Sequence, residues 1–260
     1  MIKRPKHLIL PDAHATPELD NDRFEALGNL IVEERPDVII CIGDGADMAS
    51  LSSFDKGTRG YEGRRYQRDI DSFIDAQDRM FAPIKADNRK RHQSYNPRLV
   101  YTLGNHEYRI EKLINAEPGL YGKVGIQDLQ LEEHGWEVYP FLQPVVIDGI
   151  AYAHYFASGV AGRPISGENI GKTLCVKLHQ SAVQGHSHIY DHSERAIISG
   201  HKIFGLSCGC FTHPKYVADW NRAFVQMWWR GIVILEDLDG EAYYDKITTI
   251  TLRKMMRDYI

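Results

Sequence analysis

Three short, largely apolar runs alternate with helical patterns in the first half of the chain, and this alternation constrains the fold most strongly. The runs are His7–Leu10, Val38–Ile42 and Arg98–Leu103. Their apolar centres are typical of strands that are covered on both faces of a sheet. Between them, residues 18–35 and 66–84 carry apolar side chains at helical spacing, and Asp20 or Asp22 is the expected cap of the first helix. These strand–helix units predict an α/β fold.

The second half of the chain changes from strand–helix units to hairpins. Its expected elements are a hairpin from Val145 to Tyr155, a helix over residues 168–182, short strands after Arg195 and a second hairpin at Asp239-Gly240. The dipeptides Asp148-Gly149 and Asp239-Gly240 suit tight two-residue turns. Since no repeat or interdomain linker interrupts the chain, the sequence predicts one layered α/β domain with a mixed sheet core over residues 1–260.

Composition places the chain among ordinary globular proteins. It has 260 residues, of which 43% are hydrophobic and 25% charged, and its net charge of −4 excludes a globally basic surface. The N-terminal apolar run covers only Leu8–Leu10, and no stretch approaches the roughly 20 apolar residues of a membrane span. We therefore expect a soluble, cytoplasmic protein without membrane contact.

The four cysteines lack the spacing of a disulfide framework, which fits a reduced, cytosolic setting. Cys208 and Cys210 are separated by one residue, unlike the two-residue spacing of most zinc knuckles. Both are therefore expected to be small buried side chains in a strand or turn.

Polar side chains follow the predicted strands at the points where the strands end. They occur in five blocks: Pro11-Asp12-Ala13-His14, Gly43-Asp44-Gly45-Ala46-Asp47, Gly104-Asn105-His106-Glu107, Ala153-His154-Tyr155 and Gly185-His186-Ser187-His188. Because α/β sheets present ligand-binding groups at the carboxyl ends of their strands, these side chains are expected to converge. Carboxylate, amide and imidazole ligands suit manganese, iron, zinc or nickel, whereas a structural zinc site would favour thiolates. The set is too large for one ion and predicts two metals that share a carboxylate.

The five blocks together resemble the calcineurin-like metallophosphoesterase family. The family pattern is D-x-H, G-D-x-x-D, G-N-H-E or G-N-H-D, a lone His and G-H-x-H, and all five parts occur here in that order. The compact chain and its segments Cys208–Phe211 and Trp220-Asn221 are also similar to uncharacterised phosphoesterases of phages. The resemblance implies a layered α-β-β-α sandwich in which two mixed sheets pack face to face and are flanked by helices.

The resemblance also implies a role for each residue of the blocks. It assigns the first metal to Asp12, His14 and His188, the second to Asn105, His154 and His186, and the bridging position to Asp44. The cofactors would be two divalent ions, manganese first, with iron, zinc or nickel as alternatives. A hydroxide between the metals would attack phosphorus. His106 would act as general acid, and Asp47 would pair with it.

Two assignments have clear alternatives. His154 lies in an apolar strand, where a hydrogen-bonded core histidine is common, and His179 competes with it for the role of ligand, although His179 belongs to a predicted helix. Arg109 follows the third block and could contact the phosphate through its planar guanidinium, or form an ordinary salt bridge on a helix.

The segment at about 49–98 is predicted to be a basic, helical insertion. Its cations are Lys56, Arg59, Arg64, Arg65, Arg68, Arg79, Lys85, Arg89, Lys90, Arg91 and Arg98. With Tyr61, Tyr66 and Tyr95 interleaved, residues 56–98 suit contact with nucleic acid. The alternative is a solvated helix face, because Asp69, Asp71, Asp75 and Asp78 lie among the cations.

The substrate class follows from a departure from the family. Protein phosphatases of the family carry arginines where this chain has Met48 and Leu103, and those arginines hold a phosphomonoester. The leading hypothesis is therefore a phosphodiesterase, with a nuclease included. The alternatives are a phosphomonoesterase that acts on nucleotides or phosphoproteins, and a non-catalytic metal-binding interaction module.

Overall fold

The computed structural model describes residues 5–53, 55–91, 94–198, 200–217, 224–236, 238, 243–244 and 246–260. Its strands are β1 His7–Leu10, β2 Val38–Cys41, β3 Arg98–Thr102, β4 Glu137–Tyr139, β5 Val145–Ile147, β6 Ile150–Ala153, β7 Ala157–Ser158, β8 Arg163–Pro164, β9 Ala182–Gln184, β10 Tyr190–Ala196, β11 Lys202–Cys208, β12 Gly231–Glu236 and β13 Lys246–Thr251. Its α-helices are α1 Asp22–Glu34, α2 Tyr66–Arg91, α3 Tyr108–Ala116, α4 Ile170–Leu178 and α5 Leu252–Tyr259.

The strands form two large mixed sheets and one short ribbon. The first sheet has the order β13-β12-β1-β2-β3-β4, and the second has the order β10-β11-β9-β6-β5. Strands β1 to β4 are parallel neighbours, whereas β12 and β13 join them antiparallel. In the second sheet, β6, β9 and β11 are parallel and the edge strands are antiparallel. The two-stranded ribbon consists of β7 and β8.

The side chains of the first sheet alternate between two apolar layers, as the period of a strand requires. Ile9, on β1, packs between the sheets together with Val183 of β9. Leu8, its neighbour on β1, belongs to the cluster on the opposite face, which includes Phe24 and Leu27 of α1. A third cluster joins α4 to the outer face of the second sheet. The order of layers is therefore helix, sheet, sheet, helix.

This architecture confirms the predicted α-β-β-α sandwich of two mixed sheets. The three predicted strands of the first half and the hairpin around Asp148-Gly149 are present. The predicted cap of α1 is wrong: Asn21 occupies the N-cap position, and no described side chain bonds there as a cap. Asp20 instead accepts a hydrogen bond from the backbone N–H of Asp22 at 3.3 Å.

Other boundaries differ because tertiary contacts decide them. Helix α2 continues seven residues beyond its predicted end, through a polar stretch that ends at Arg91. Helix α5 follows the last strand, where only short strands were expected. The predicted hairpin at Asp239-Gly240 lies outside the described residues. None of the helices in the described part of the chain combines the length and apolar character needed to cross a bilayer.

A buried histidine links the two sheets. The side chain of His7, on β1, is fully buried. Its Nδ1 lies 2.7 Å from the hydroxyl of Tyr152 on β6, and its Nε2 lies 2.9 Å from a carboxylate oxygen of Asp148 in the adjacent turn. Burial lowers the pKa of His7 below its ordinary value of 6.5, and the attraction of Asp148 only partly offsets this effect.

Because the folded protein resists protonation of His7, protons favour the unfolded chain, in which this group titrates near 6.5. The stability that neutral His7 contributes is complete above that pH and is lost as the pH falls through and below it.

We predict that His7→Gln gives a shallower decline in the free energy of unfolding between about pH 7.5 and 5.5. Urea unfolding of the metal-free protein measures this. Tyr152→Phe is the matched control, because it removes the hydrogen bond but keeps the histidine. Parallel pH profiles for wild type and His7→Gln would contradict the prediction.

Candidate metal centre

The carboxyl ends of three parallel neighbours in the first sheet carry the first three blocks. The loops after β1, β2 and β3 therefore lie side by side. The backbone N–H of His14 donates to the carbonyl of Asp44 at 2.9 Å, and that of His106 donates to Oδ1 of Asp44 at 2.8 Å. These contacts hold the polar side chains of the three loops together, as the strand-end positions predict.

The second sheet supplies the remaining predicted ligands from two parallel neighbours. His154 directly follows β6, and Gly185 directly follows β9. The N–H of Gly185 donates to the carbonyl of His154 at 3.0 Å, which places His186 next to it. The predicted ligands thus gather where the loops of the two sheets meet.

A first group consists of Asp12, His14 and His188, whose ligand atoms all lie within 4.8 Å of one another. Nδ1 of His14 lies 2.9 Å from Oδ1 of Asp47. Since a carboxylate only accepts, Nδ1 carries the proton and Nε2 presents a lone pair. That lone pair faces Nε2 of His188 at 3.2 Å, and Oδ1 of Asp12 lies 3.5 Å from the same atom.

A second group consists of Asp44, His154 and His186, with Asn105 beside them. Nδ1 of His154 donates to the carbonyl of Ile42 at 2.9 Å, which directs Nε2 toward the group. Nε2 lies 2.9 Å from Oδ1 of Asn105, 3.2 Å from Nδ1 of His186 and 3.3 Å from Oδ2 of Asp44. His179, the alternative candidate, is the exposed C-cap residue of α4 and lies outside these groups.

Asp44 lies between the two groups. Its Oδ2 is 3.3 Å from Nε2 of His154 and 3.9 Å from Nε2 of His14. Its side chain is almost completely buried. Asp44 therefore lies close to the ligand atoms of both groups.

Burial and neighbouring charges shift the pKa values of the two groups in different directions. Burial lowers the pKa of His186 and His188 to about 3, so both keep free lone pairs at neutral pH. Burial raises the pKa of Asp12 to about 7. Burial alone would raise the pKa of Asp44 too, but the surrounding imidazoles hold it well below its usual range. For His154, the Asp44 carboxylate outweighs burial and raises the pKa to about 9.

Five of the predicted ligands adopt a left-handed backbone conformation. The φ angles are 33° at Asp12, 45° at His14, 50° at Asp44, 67° at His186 and 60° at His188. Positive φ is uncommon for residues other than glycine and costs of order 1–3 kcal/mol each where it occurs at functional sites. Its concentration at these residues marks them as a constellation that the fold holds against local preference.

Two glycines allow the backbone to approach the carboxylates closely. A Cβ atom at Gly104 would overlap Oδ1 of Asp44, and one at Gly185 would overlap Oδ2 of Asp12. The backbone N–H of His186 donates to both oxygens of Asp12, at 2.9 and 3.0 Å. Glycine at these positions is therefore required for the observed carboxylate positions.

His106 lies at the edge of the first group without a free lone pair at Nδ1. Its Nδ1 donates to the backbone carbonyl of Asp47 at 2.6 Å and lies 3.2 Å from Oδ1 of the same residue. Its Nε2 is 3.7 Å from Oδ2 of Asp44 and 3.1 Å from a guanidinium nitrogen of Arg109. Asp47 also contacts His14, so it is shared rather than reserved for His106.

Arg109 points toward the site and forms no salt bridge with a described carboxylate. Its guanidinium donates to the backbone carbonyls of Asp47 and Met48 at 3.0 and 3.2 Å. This arrangement fixes the planar group next to His106 and leaves it without a full counter-charge. The helix salt bridge that the sequence left open is thus absent among the described residues.

Glu107 has a structural role that the motif alone did not predict. The fully buried carboxylate accepts the N–H groups of Asp44 and Gly104 at one oxygen, at 2.9 and 2.8 Å. Its other oxygen accepts the N–H of Ala46 at 3.1 Å and the hydroxyl of Tyr101 at 2.9 Å. The position immediately after His106 was the available signal, but two of its partners, Asp44 and Ala46, are distant in sequence.

Many cations of the 49–98 segment are paired with carboxylates. Arg64 pairs with Asp55, Arg79 with Asp22 and Asp75, Arg91 with Asp87, and Arg98 with Glu137. The hydroxyls of Tyr61, Tyr66 and Tyr95 also bond within the protein. Six cations make no ion pair with a described residue: Lys56, Arg59, Arg65, Lys85, Arg89 and Lys90. Nucleic-acid contact through this segment stays a prediction that depends on them.

No protein-family model matches the chain, and no curated protein matches it. Among solved structures, the chain is similar to YfcE, a phosphoesterase from E. coli, with a TM-score of 0.39 and 14% identity over 95% of this chain and 100% of that chain. It is also similar to the protein TT1561 of Thermus thermophilus, with a TM-score of 0.39 and 9% identity over 96% of this chain and 100% of that chain. TM-scores this low say nothing about the site, so the description of the site depends on the chain's own residues.

The donor set itself fits divalent cations. Imidazole nitrogens of two different histidines lie 3.2 Å apart in both groups, close enough to bind one ion together. Buried carboxylates complete each group. A divalent cation would satisfy these atoms together, and the mixture of nitrogen and oxygen donors suits transition metals. The cluster is thus able to bind metal, and the fold agrees with the calcineurin-like resemblance.

We predict that Gly185→Ala weakens metal binding, because the added methyl group displaces Asp12. The affinity for Mn²⁺, measured by titration calorimetry, is expected to fall roughly tenfold or more, as displaced metal ligands and their supports typically cause. Gly119→Ala is the control, because no heavy atom lies within 4 Å of the added carbon there. Equal affinities of the two variants would show that Asp12 does not hold the ion.

Proposed function

We propose that the protein is a two-metal-dependent phosphoester hydrolase, and more specifically a phosphodiesterase. The observation that carries the proposal is the pair of donor groups that share Asp44, with His106 fixed beside them. Asp12, His14 and His188 would hold one cation, and Asn105, His154 and His186 the other. When bound, the two cations would neutralise phosphate charge and make water a stronger nucleophile.

His106 is suited to give a proton to the leaving oxygen. Its Nδ1 is committed as a donor to the Asp47 carbonyl, so Nε2 is the atom that can deliver a proton. Burial alone would lower the pKa of His106, but the carboxylates of Asp44 and Asp47 raise it above its ordinary value. The two carboxylates therefore favour the protonated form, which general acid catalysis requires, once the contact between Arg109 and Nε2 is released.

Arg109 controls the same atom through its hydrogen bond to Nε2. An arginine always donates, so Nε2 accepts in this arrangement and carries no proton. A phosphate oxygen offers Arg109 a stronger, charge-assisted acceptor. Substrate binding would thus draw Arg109 away from Nε2 and leave that atom free to carry the proton.

The surroundings of His106 favour a diester over a monoester. Met48 and Leu103 are buried apolar residues at the positions where the related protein phosphatases carry arginines for a phosphomonoester. A cavity of about 370 Å³ lies beside His106 and is lined by polar residues that include Arg64, Arg109 and Lys215. This His106 cavity can accept a large leaving group on the side where the proton is delivered.

An aromatic surface borders the other donor group and supports a nucleotide substrate. We call Tyr108, Phe141 and Tyr155 the aromatic ledge. Phe141 stacks on Tyr108 with ring centres 4.9 Å apart and meets Tyr155 edge-on at 5.5 Å. Tyr155 is half-buried and lies 4.8 Å from the ring of His186. Base stacking on such rings contributes about 1–3 kcal/mol per base.

The proposal predicts a rank order of substrates with Mn²⁺. Thymidine 5′-(p-nitrophenyl phosphate) should have the highest kcat/KM, bis(p-nitrophenyl) phosphate the next and p-nitrophenyl phosphate the lowest. Release of p-nitrophenol measures all three. Faster turnover of the monoester would favour the phosphomonoesterase alternative. Absence of turnover in protein that binds two metals would favour a non-catalytic interaction module.

Tyr155→Ala separates the ledge from the chemistry in the same assay. The variant should raise KM for the thymidine diester roughly tenfold, which corresponds to the loss of one stacked base. It should leave KM for bis(p-nitrophenyl) phosphate within about twofold of the wild type. An equal effect on both diesters would refute base stacking on the ledge.

We also predict that His106→Gln lowers kcat by about 10²–10⁴-fold, the usual contribution of a general acid. The substitution removes the proton donor, but the ligand atoms of both metal groups stay in place. Titration calorimetry should therefore still report two bound Mn²⁺ ions. Loss of one ion would identify His106 as a metal ligand instead.

A further inference from the structure

Asp47 is shared by three donors, two of which belong to the site already described. Its Oδ1 lies 2.9 Å from Nδ1 of His14 and 3.2 Å from Nδ1 of His106. The third donor is the hydroxyl of Tyr216, at 2.8 Å from the same oxygen. Tyr216 lies outside the five sequence blocks and comes from the segment after β11.

The ring of Tyr216 covers His14 as well. The two rings stack with centres 5.1 Å apart and planes inclined by 27°. On the same side, Trp228 lies roughly parallel to Tyr216 at 6.2 Å and meets the ring of His188 edge-on at 4.3 Å. The rings of Tyr216 and Trp228 therefore cover the imidazoles of His14 and His188 on one side.

Hydrogen bonds hold the backbone around Tyr216 in place, and they fix the position of its side chain. The N–H of Tyr216 donates to the carbonyl of His213 at 2.8 Å. The guanidinium of Arg230 donates to the carbonyl of Tyr216 at 3.5 Å and to the hydroxyl of Thr212 at 3.0 Å. The same guanidinium lies over the ring of Trp228.

These contacts orient the ring of His14. A histidine that binds a metal is oriented by the partner of its other ring nitrogen, and here that partner is Asp47. The Tyr216 hydroxyl fixes the oxygen of Asp47 that accepts from His14. Without the hydroxyl, the carboxylate could turn toward His106, and the ring of His14 would lose its orientation. No described hydrogen bond or ring contact joins Tyr216 to His154 or His186.

We propose that Tyr216 is a positioning residue for the first metal, acting through Asp47 on His14. The inference rests on the proposed metal centre but not on any hydrolytic activity. It goes beyond that proposal because it assigns a selective effect to one of the two sites. It also assigns this effect to a residue from the C-terminal part of the chain.

The test measures Mn²⁺ affinity in two single-site backgrounds. His186→Ala removes a ligand of the second group and leaves the first, whereas His188→Ala does the reverse. In the His186→Ala background, Tyr216→Phe should weaken Mn²⁺ binding roughly tenfold, the lower end of the usual effect of such supporting residues. In the His188→Ala background, the same substitution should change the affinity less than about twofold, because no described hydrogen bond or ring contact links Tyr216 to His154 or His186.

Tyr95→Phe is the matched control. It removes a hydroxyl that donates to the carbonyl of Pro36 at 2.7 Å, far from the donor groups, and should leave Mn²⁺ binding unchanged in both backgrounds. Tyr216→Phe keeps the stacked ring, so cooperative unfolding of the metal-free variant is expected to match the wild type. Equal weakening in both backgrounds, or no weakening in either, overturns the proposal.

Asp47→Asn is a second variant for the same Mn²⁺ titration, for use if Tyr216→Phe folds poorly. It weakens the acceptor that Tyr216 is inferred to fix, and it should affect the first site alone. Unchanged affinity in the His186→Ala background would again overturn the inference. Since no turnover is measured, failure of the phosphodiesterase proposal leaves the result interpretable.

Discussion

Two buried carboxylates, Asp12 and Asp44, impose the constraint on which the rest of the site depends. Removing an ionised carboxylate from water costs several kcal/mol unless hydrogen bonds or opposite charges replace the solvent. Asp12 receives two contacts from the N–H of His186, and Asp44 receives the N–H of His106 and a ring of imidazoles. The left-handed backbone at both residues is part of the same arrangement. A site that concentrates buried carboxylates, imidazoles and backbone strain in this way is able to bind a cation.

Glu107 stabilises the loops that carry the polar residues of the site. It is a third buried carboxylate, but backbone N–H groups from the β2 and β3 loops surround it together with the Tyr101 hydroxyl. It thereby ties together the two loops that carry Asp44 and Asn105. Such a network is stable only when every member is satisfied, and here each oxygen of Glu107 accepts two donors. These hydrogen bonds of Glu107 therefore hold the β2 and β3 loops together, and none of them involves a metal.

Sequence patterns predicted the parts of the fold that depend on local order. Strands β1, β2 and β3 are apolar runs between helical patterns, and each block of polar residues follows directly from a strand end. Helix α5 was missed because an eight-residue segment with buried Leu252 and Met255 offers too few apolar positions to show a helical period. The ionic character of α2 was visible in the spacing: Asp75 with Arg79 and Asp87 with Arg91 are pairs four residues apart. That spacing favours the solvated helix face for those residues.

Local patterns could not reveal how the supporting residues are shared. The family resemblance implied that Asp47 pairs with His106, whereas one oxygen of Asp47 also contacts His14 and Tyr216, the latter 169 residues away along the chain. The difference makes the two donor groups unequal. The first, with His14 and His188 buried, is enclosed by Tyr216 and Trp228. The second includes the half-buried Asn105 and His186 and borders the aromatic ledge. A phosphate held between the groups would therefore have the His106 cavity on the side of the first group and the aromatic ledge on the side of the second.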